Sequence, residues 1–284
     1  MSSPDVKQPP GAKVIAITSG KGGVGKTFVS ANVAAALAKR GLRVLVLDAD
    51  LGLANLDVVL NLYPKITLHD VFTGKAKLED AVIQAPGGFS VLLAGSGLVE
   101  YSRLTPEVRD DFLKVLHSLT PQFDVVILDT GAGISDVVLF AVSLASEVLV
   151  VATPEPTSLT DAYATIKLIA TTTPAKPIGV VVNSAKDGAE ADVVFRQLSR
   201  AAERFLQRQL RYDGYIVEDP AWRDSLIAQV PMVEREAANP ASRCVRRLAS
   251  RLASSRPLSA GPWPTRLSST LAATAARSAE APCA

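Results

Sequence analysis

The sequence predicts an α/β protein built on a doubly wound, mostly parallel sheet with helices on both faces, and three observations predict it. Short β-branched runs recur along the chain, segments of helical periodicity lie between them, and the runs are apolar throughout instead of alternating with polar residues. Strand and helix in alternation imply parallel strands joined by crossovers, and continuously apolar strands are those covered on both faces. The expected strands cover residues 14–17, 44–47, 91–93, 125–128, 148–151 and 178–182. The expected helices include residues 29–39, 108–119, 162–169 and 193–206.

Local chemistry marks where these elements begin and end. Thr105-Pro106-Glu107 joins an N-cap threonine to proline at the first helical position, Ser135-Asp136 opens another helix, and Gly41 closes the first. Ser158 and Asp161 have the spacing of a capping box.

With 284 residues, 48% of them hydrophobic, the chain can bury a large core. The expected organisation is a disordered extension over residues 1–12, one domain over 13–256, and a Ser/Ala/Pro-rich low-complexity tail over 257–284. The net charge of +2 makes no global case for nucleic-acid binding. Five arginines and no acid lie between positions 241 and 256, so the remainder of this +2 chain is at −3 and the positive charge is local. Two late cysteines, Cys244 and Cys283, supply neither a disulfide framework nor a CxxC metal site. The N-terminus carries no apolar signal region, and no apolar stretch reaches spanning length, so the expectation is a cytoplasmic protein that at most touches a membrane surface.

The chemistry concentrates in "SGKGGVGKT", residues 19–27, which follows the first expected strand and opens the first helix. Gly20-x4-Gly25-Lys26-Thr27 is the P-loop pattern in the order its mechanism requires. Glycines let successive backbone N–H groups turn toward phosphates, the helix N-terminus adds its positive end, Lys26 reaches the β and γ phosphates, and Thr27 ligates Mg²⁺. Gly20, Lys21, Gly22, Gly23, Val24, Gly25, Lys26, Thr27 and Phe28 are therefore the expected nucleotide-binding segment, for ATP or ADP with Mg²⁺.

Three aspartates belong to the same expected site. Asp48 and Asp50 follow the strand at 44–47, and Asp129 follows the strand at 125–128. Both positions are carboxyl ends of parallel strands, the edge at which such sheets bind ligands. A hydrophobic strand ending in aspartate is the Walker-B arrangement, and Asp129 and Asp50 are expected in the Mg²⁺ shell with Thr27. Asp50 is the expected residue that positions the attacking water, with Asp48 second; a helix cap or turn is the plainer reading of each.

Here the chain resembles the MinD/ParA-type ATPases, P-loop NTPases with a deviant Walker A motif, over residues 13–254. Lys21 in "GKGGVGKT" is similar to their signature lysine, "LDADLGLANLD" (47–57) to their first switch and "DTGAGIS" (129–135) to their second. The resemblance implies that Lys21 reaches across an ATP-dependent homodimer to phosphates held by the other subunit. A second cation supplied in trans then acts on a triphosphate as an arginine finger does. The resemblance also implies that Asn55 is a switch residue, that Asn183, at the end of the strand 178–182, reads the adenine edge, and that the loop "VPMVE", with Pro231, packs on the base.

Four stretches, "DADLGLANLDVVLNL", "DTGAGIS", "EPTSLTDAYATIKLI" and "YDGYIVEDPAWRDSLIAQVP", resemble the FleN/FlhG branch more than the MinD or ParA branches. That resemblance implies control of flagellar number and placement. The partners it implies are the flagellar GTPase FlhF, an activator of the FleQ type, and switch-ring proteins of the basal body. A MinD-type division-site role and a ParA-type DNA-partition role stay open as alternatives, although direct DNA binding finds no basic array outside the arginines near the C-terminus. An iron–sulfur carrier on the same scaffold would need ligating cysteines before Cys244, and the sequence has none.

Two features depart from the pattern. "MSSPDVKQPPGAK" lacks the DQAxxLR-like activator motif of some members. The amphipathic membrane helix of relatives has two candidates. Val245, Leu248, Ala249 and Leu252 lie opposite Arg243, Arg246, Arg247 and Arg251, a helix that either packs on the sheet as the last element of the core or carries a membrane face. Trp263, Leu267 and Leu271, interrupted by Pro264, are the second, and would place the chain at the inner face of the cell membrane at the pole.

Overall fold

The computed structural model describes residues 11–50, 55–95 and 104–254. Outside them lie the first ten residues of the expected extension, residues 51–54 of the segment similar to a first switch, and the tail 257–284 with Trp263, Leu267, Leu271 and Cys283.

Eight strands form one sheet: β1 (Lys13–Ser19), β2 (Val44–Asp48), β3 (Val82–Ala85), β4 (Phe89–Leu92), β5 (Val125–Ala132), β6 (Glu147–Ala152), β7 (Ile178–Ala185) and β8 (Arg211–Val217). Their spatial order is β3-β4-β2-β5-β1-β6-β7-β8, with β3 antiparallel at one edge and the other pairings parallel. The helices are α1 (Lys26–Ala38), α2 (Leu56–Leu60), α3 (Leu68–Phe72), α4 (Leu78–Ala81), α5 (Pro106–Leu119), α6 (Asp136–Leu144), α7 (Pro156–Thr172), α8 (Gly188–Leu206), α9 (Pro220–Ala228), α10 (Met232–Arg235) and α11 (Pro240–Ser254).

Successive strand residues point to opposite faces, and both faces are apolar. Val14, Ala16, Leu45 and Leu47 pack beneath α5, α6, α7 and α8, while Ile15, Ile17, Val44 and Val46 pack beneath α1, α10 and α11. Burying each such Leu or Ile stabilises the fold by about 1.5–3 kcal/mol. The sheet is thus a slab sealed on two sides, leaving the carboxyl ends of its strands as the edge where loops gather.

Caps fall largely where the sequence places them. Thr105 Oγ1 accepts the Val108 N–H at 3.4 Å, and Ser135 Oγ accepts the Val138 N–H at 3.4 Å. The expected capping box at Ser158 and Asp161 is corrected: α7 starts earlier, with Glu155 as its N-cap, and Ser158 Oγ instead accepts the Thr153 N–H at 2.9 Å. Proline at position 156 takes the first helical place and moves the cap upstream.

α11 decides between the two readings of the arginine-bearing helix. Val245, Leu248, Ala249 and Leu252 are buried in the core with α1, whereas Arg243, Arg247 and Arg251 are exposed. Its apolar stripe is used in packing.

A chain of charges ties the amino ends of the strands together. Lys13 Nζ lies 2.7 Å from Glu147 Oε1, Arg211 Nη1 lies 2.9 Å from Glu147 Oε2, and Arg211 Nε lies 2.7 Å from Asp213 Oδ1. The Lys13 ammonium also donates to the Leu252 carbonyl at 2.6 Å, fastening the last turn of α11. The chain crosses β7 at Gly179, where a Cβ would stand 1.8 Å from Asp213 Oδ2. Removing one member of a buried ion network leaves its partners desolvated and unpaired. Glu147→Ala is therefore predicted to lose about 3–5 kcal/mol of stability in urea denaturation; a loss under about 1 kcal/mol would show the cluster to be solvated and weak.

Candidate functional site

The site grows from the point where β1 gives way to α1. Gly25 is the N-cap of α1 at φ 92°, and Gly23 has φ 80°, left-handed values that glycine adopts without steric cost. These turns aim the positive end of α1 into a cleft of about 680 Å³. Gly20 has a different task. A Cβ there would stand 2.1 Å from the carbonyl carbon and oxygen of Asp161, so this glycine lets the loop lie directly against the backbone of α7.

The cleft brings together Gly22, Gly23, Gly25, Lys26, Thr27 and Phe28 with Asp48 and Asp50 from the end of β2, Asn55, and Asp129 from β5. Parallel register sets Asp48 beside Asp129 on neighbouring strands. Asp50 is held by its own N–H, which donates to Asp48 Oδ1 at 3.1 Å, and its carboxylate faces Gly131, where a Cβ would come within 3.2 Å of Oδ2.

Burial governs the electrostatics. Desolvation pushes the Asp129 carboxyl up to about 6, against the hydrogen bonds of Ser30 and Thr27 and the charge of Lys26. Burial, then the charge of Asp129, raises Asp48 well above the usual carboxylate range. Burial also lowers Lys26, opposed by Asp129 and Asp50. Ser30 was not anticipated from the sequence: its hydroxyl donates to Asp129 Oδ1 at 2.8 Å and orients the carboxylate from the second turn of α1. The oxygens of Thr27, Asp50 and Asp129 are hard donors. A magnesium site in such loops takes few protein oxygens and completes its shell from water and phosphate, so this sparse set fits Mg²⁺.

A smaller recess adjoins the cleft, lined by Val24, Phe28, Asn183, Ser184, Ile216, Val217 and Trp222. Asn183 Nδ2 donates to the Val24 carbonyl at 2.8 Å, so the amide braces the loop through its nitrogen and presents its oxygen as its other polar atom. Trp222, at the mouth of both spaces, meets Phe28 edge-on with centroids 6.0 Å apart. Pro231 lies elsewhere, buried at the start of α10, where Asn32 Oδ1 accepts the Val233 N–H at 3.2 Å. The wall opposite the loop is built by Trp222 and β8.

Lys21 also leaves the cleft. Its ammonium donates to Glu155 Oε2 at 2.6 Å and to Thr157 Oγ1 at 3.1 Å, both at the start of α7. Ser19 Oγ, donating to the Lys21 carbonyl at 2.7 Å, fixes the backbone from which it departs.

Comparison with known proteins bears on the family of the chain. A family model described as an AAA domain matches residues 12–178. The antiactivator FleN of Pseudomonas aeruginosa is 42% identical over 250 residues, 88% of this chain and 89% of its own. Among solved structures, MinD in the MinC:MinD cell division complex of Aquifex aeolicus is 32% identical with a TM-score of 0.67, covering 85% of this chain and 95% of that one. The septum site-determining protein MinD of Pyrococcus horikoshii, complexed with Mg-ADP, is 27% identical with a TM-score of 0.70, covering 85% and 96%. The chain belongs to the MinD/ParA-type P-loop ATPases. Within that family it falls in the FleN branch.

The Asp129 value makes a prediction about the protein free of metal and nucleotide. The group ionises at about 6 in the fold against 3.8 ordinarily, so its burial costs little at low pH and destabilises increasingly as pH rises through 6. Asp129→Asn keeps an oxygen for Ser30. Urea denaturation in chelator should show it more stable than the parent by about 3 kcal/mol at pH 8 and by under about 1 kcal/mol near pH 4. An equal effect at both values would place the carboxyl in water.

Proposed function

We propose that two copies of this chain pair around ATP, each lending Lys21 to the nucleotide bound by the other, and that slow hydrolysis ends the pairing. The observation that carries this reading is the divergence of the two lysines in one loop. Lys26 lines the cleft with Asp50 and Asp129, while Lys21 points out of it to the rim at α7. A cation on the rim is poorly placed for its own phosphates and well placed for those of a facing subunit.

In this reading the loop amides and Lys26 hold the phosphates, and Asn183, Trp222 and Phe28 enclose the base. Thr27 and Asp129 would hold Mg²⁺, with Ser30 keeping Asp129 oriented; the ion would neutralise charge on the β and γ oxygens. Asp50, at the mouth of the pair Asp48–Asp129, orients a water and takes its proton as that water attacks the γ-phosphorus and the bond to the ADP oxygen breaks. Asp48, buried and raised, steadies the Asp50 backbone and is a support to the reaction.

The output is partner binding. FleN is an antiactivator and MinD occurs in complex with MinC, which supports an ATP-dependent regulator acting on a transcription activator of the FleQ type, FlhF or basal-body proteins to set flagellar number and placement. No helix among the described residues is long and apolar enough to cross a membrane. With the stripe of α11 committed to the core, peripheral membrane contact would fall to the chain beyond residue 254.

Lys26→Ala is predicted to weaken ADP binding in calorimetry at least about tenfold, the loss expected for a charged hydrogen bond of about 1.5–3 kcal/mol. Lys21→Ala should bind ADP nearly as the parent does and yet give no dimer with ATP in light scattering. Dimers of normal stability from Lys21→Ala would remove the role in trans. Asp50→Ala should lower turnover by about 10²–10⁴-fold and accumulate the ATP dimer; a variant that turns over at the parental rate would move the water-positioning role to another group.

A further inference from the structure

We infer that Gln229 is a positioning residue for hydrolysis: its amide joins α9, the helix bordering the base recess, to α2, the helix held by Asp48, so that one wall of the cleft sets the geometry of the other. The inference deepens the ATPase reading above and rests on it.

α9 is a beam fixed at its first turn. Asp219, its N-cap, accepts the Ala221 N–H at 2.9 Å and a bond from Asn239 Nδ2 at 2.9 Å. Asn239 Oδ1 in turn accepts the Ala241 N–H at 2.7 Å, so the beginnings of α9 and α11 are tied together. Trp222 and Ala241 both line the recess, which makes this end of α9 part of its wall. Trp222 and Leu226, one turn apart on the same face, both border the cleft. The nine residues of α9 span about 13 Å. The far end is closed by a reciprocal pair: Ser225 Oγ donates to the Val230 carbonyl at 2.6 Å, and the Val230 N–H donates to the Ser225 carbonyl at 3.2 Å.

Gln229 carries this far end across to α2. Its Nε2 donates to the Val58 carbonyl at 2.6 Å. It is the C-cap of α9 at φ 54°, a left-handed value that glycine takes with less strain, and the side chain kept there spans the gap. α2 is otherwise held by Leu56 and Leu60 in the core and by the Leu56 N–H, which donates to the Asp48 carboxylate. Asp48 also accepts the Asp50 N–H at 3.1 Å. A route from Trp222 to the carboxylate that orients the water therefore runs through α9, Gln229, Val58, Leu56 and Asp48. Contiguity offers the route, and a double-mutant cycle measures the coupling along it. Positioning supplies much of the rate in phosphoryl transfer, so a small displacement of Asp50 lowers turnover and leaves affinity in place.

The test uses as parent the full chain carrying Trp263→Phe, which leaves Trp222 as its one tryptophan. Gln229→Met keeps the length of the side chain and removes the donor; Gln229→Lys restores a donor. Gln229→Met should lower kcat for ATP with Mg²⁺ by about 2- to 10-fold, the effect of one hydrogen bond. KM, ADP affinity by calorimetry and the Trp222 fluorescence change on binding ADP should match the parent. Gln229→Lys should recover most of the lost kcat. At saturating ATP, Trp222→Ala combined with Gln229→Met should fall no lower than the slower of the two single variants, because both act on one route. An unchanged kcat for Gln229→Met overturns the inference. A fall in kcat joined by loss of ADP affinity and of the Trp222 signal overturns it too, since that marks a loosened wall, as do losses that multiply in the combined variant. A parent that binds ADP and turns over no ATP removes the ATPase reading itself, and the inference with it.

Discussion

Everything at the carboxyl edge of this sheet is shaped by charge balance in a place with little water. Asp48 and Asp129 are brought side by side by the register of β2 and β5, and both are buried. Burial raises the proton affinity of both, the charge of Asp129 adding to it at Asp48 and that of Asp50 at Asp129, while donors from Ser30 and Thr27 are aimed at Asp129. Lys26, a cation of the loop, lies within reach of Asp129 and Asp50. A polyphosphate entering this space with its magnesium would rearrange every one of those terms, and that sensitivity is what a nucleotide switch requires.

The loop divides its labour by residue. Gly23 and Gly25 bend it, Gly20 lets it rest on α7, Lys26 turns in and Lys21 turns out. Gly20 and Lys21 both touch the first turns of α7, so the loop is seated directly against that helix. α1 is similarly tied to its neighbours on its own face of the sheet: Asn32 holds α10, and Arg40 Nη1 donates to Ser250 Oγ on α11 at 2.7 Å. The site is therefore framed by helices from both faces of the sheet.

Much of this was legible in the residues because burial on both faces writes itself into composition. The six apolar runs all became strands, and the glycine loop with its following lysine and threonine fell at the turn from β1 to α1. β8 escaped since Arg211–Val217 is broken by a charged pair and by Gly214 at φ 112°. β3 escaped because it has four residues at an edge. The partners of Lys21 escaped for a different reason: Glu155 is 134 residues away, and nothing local to either position signals the other. Trp222 stood inside a stretch already singled out for its resemblance, but its place at the mouth of the recess is set by β8 and α9 folding over the loop, a tertiary fact. At Ser158 the capping-box spacing falls one turn inside the helix, because Pro156 already begins it.

The central claim is that Lys21 changes owner, from the carboxylate of its own chain to the phosphates of another. Its most direct test is a crystal structure of the full chain with Mg²⁺ and a slowly hydrolysed ATP analogue. Two copies are expected to face each other across their clefts, with each Lys21 Nζ within hydrogen-bond distance of a phosphate oxygen held by the opposite subunit. A nucleotide-filled cleft with Lys21 still on Glu155, or turned inward to its own phosphates, would contradict it.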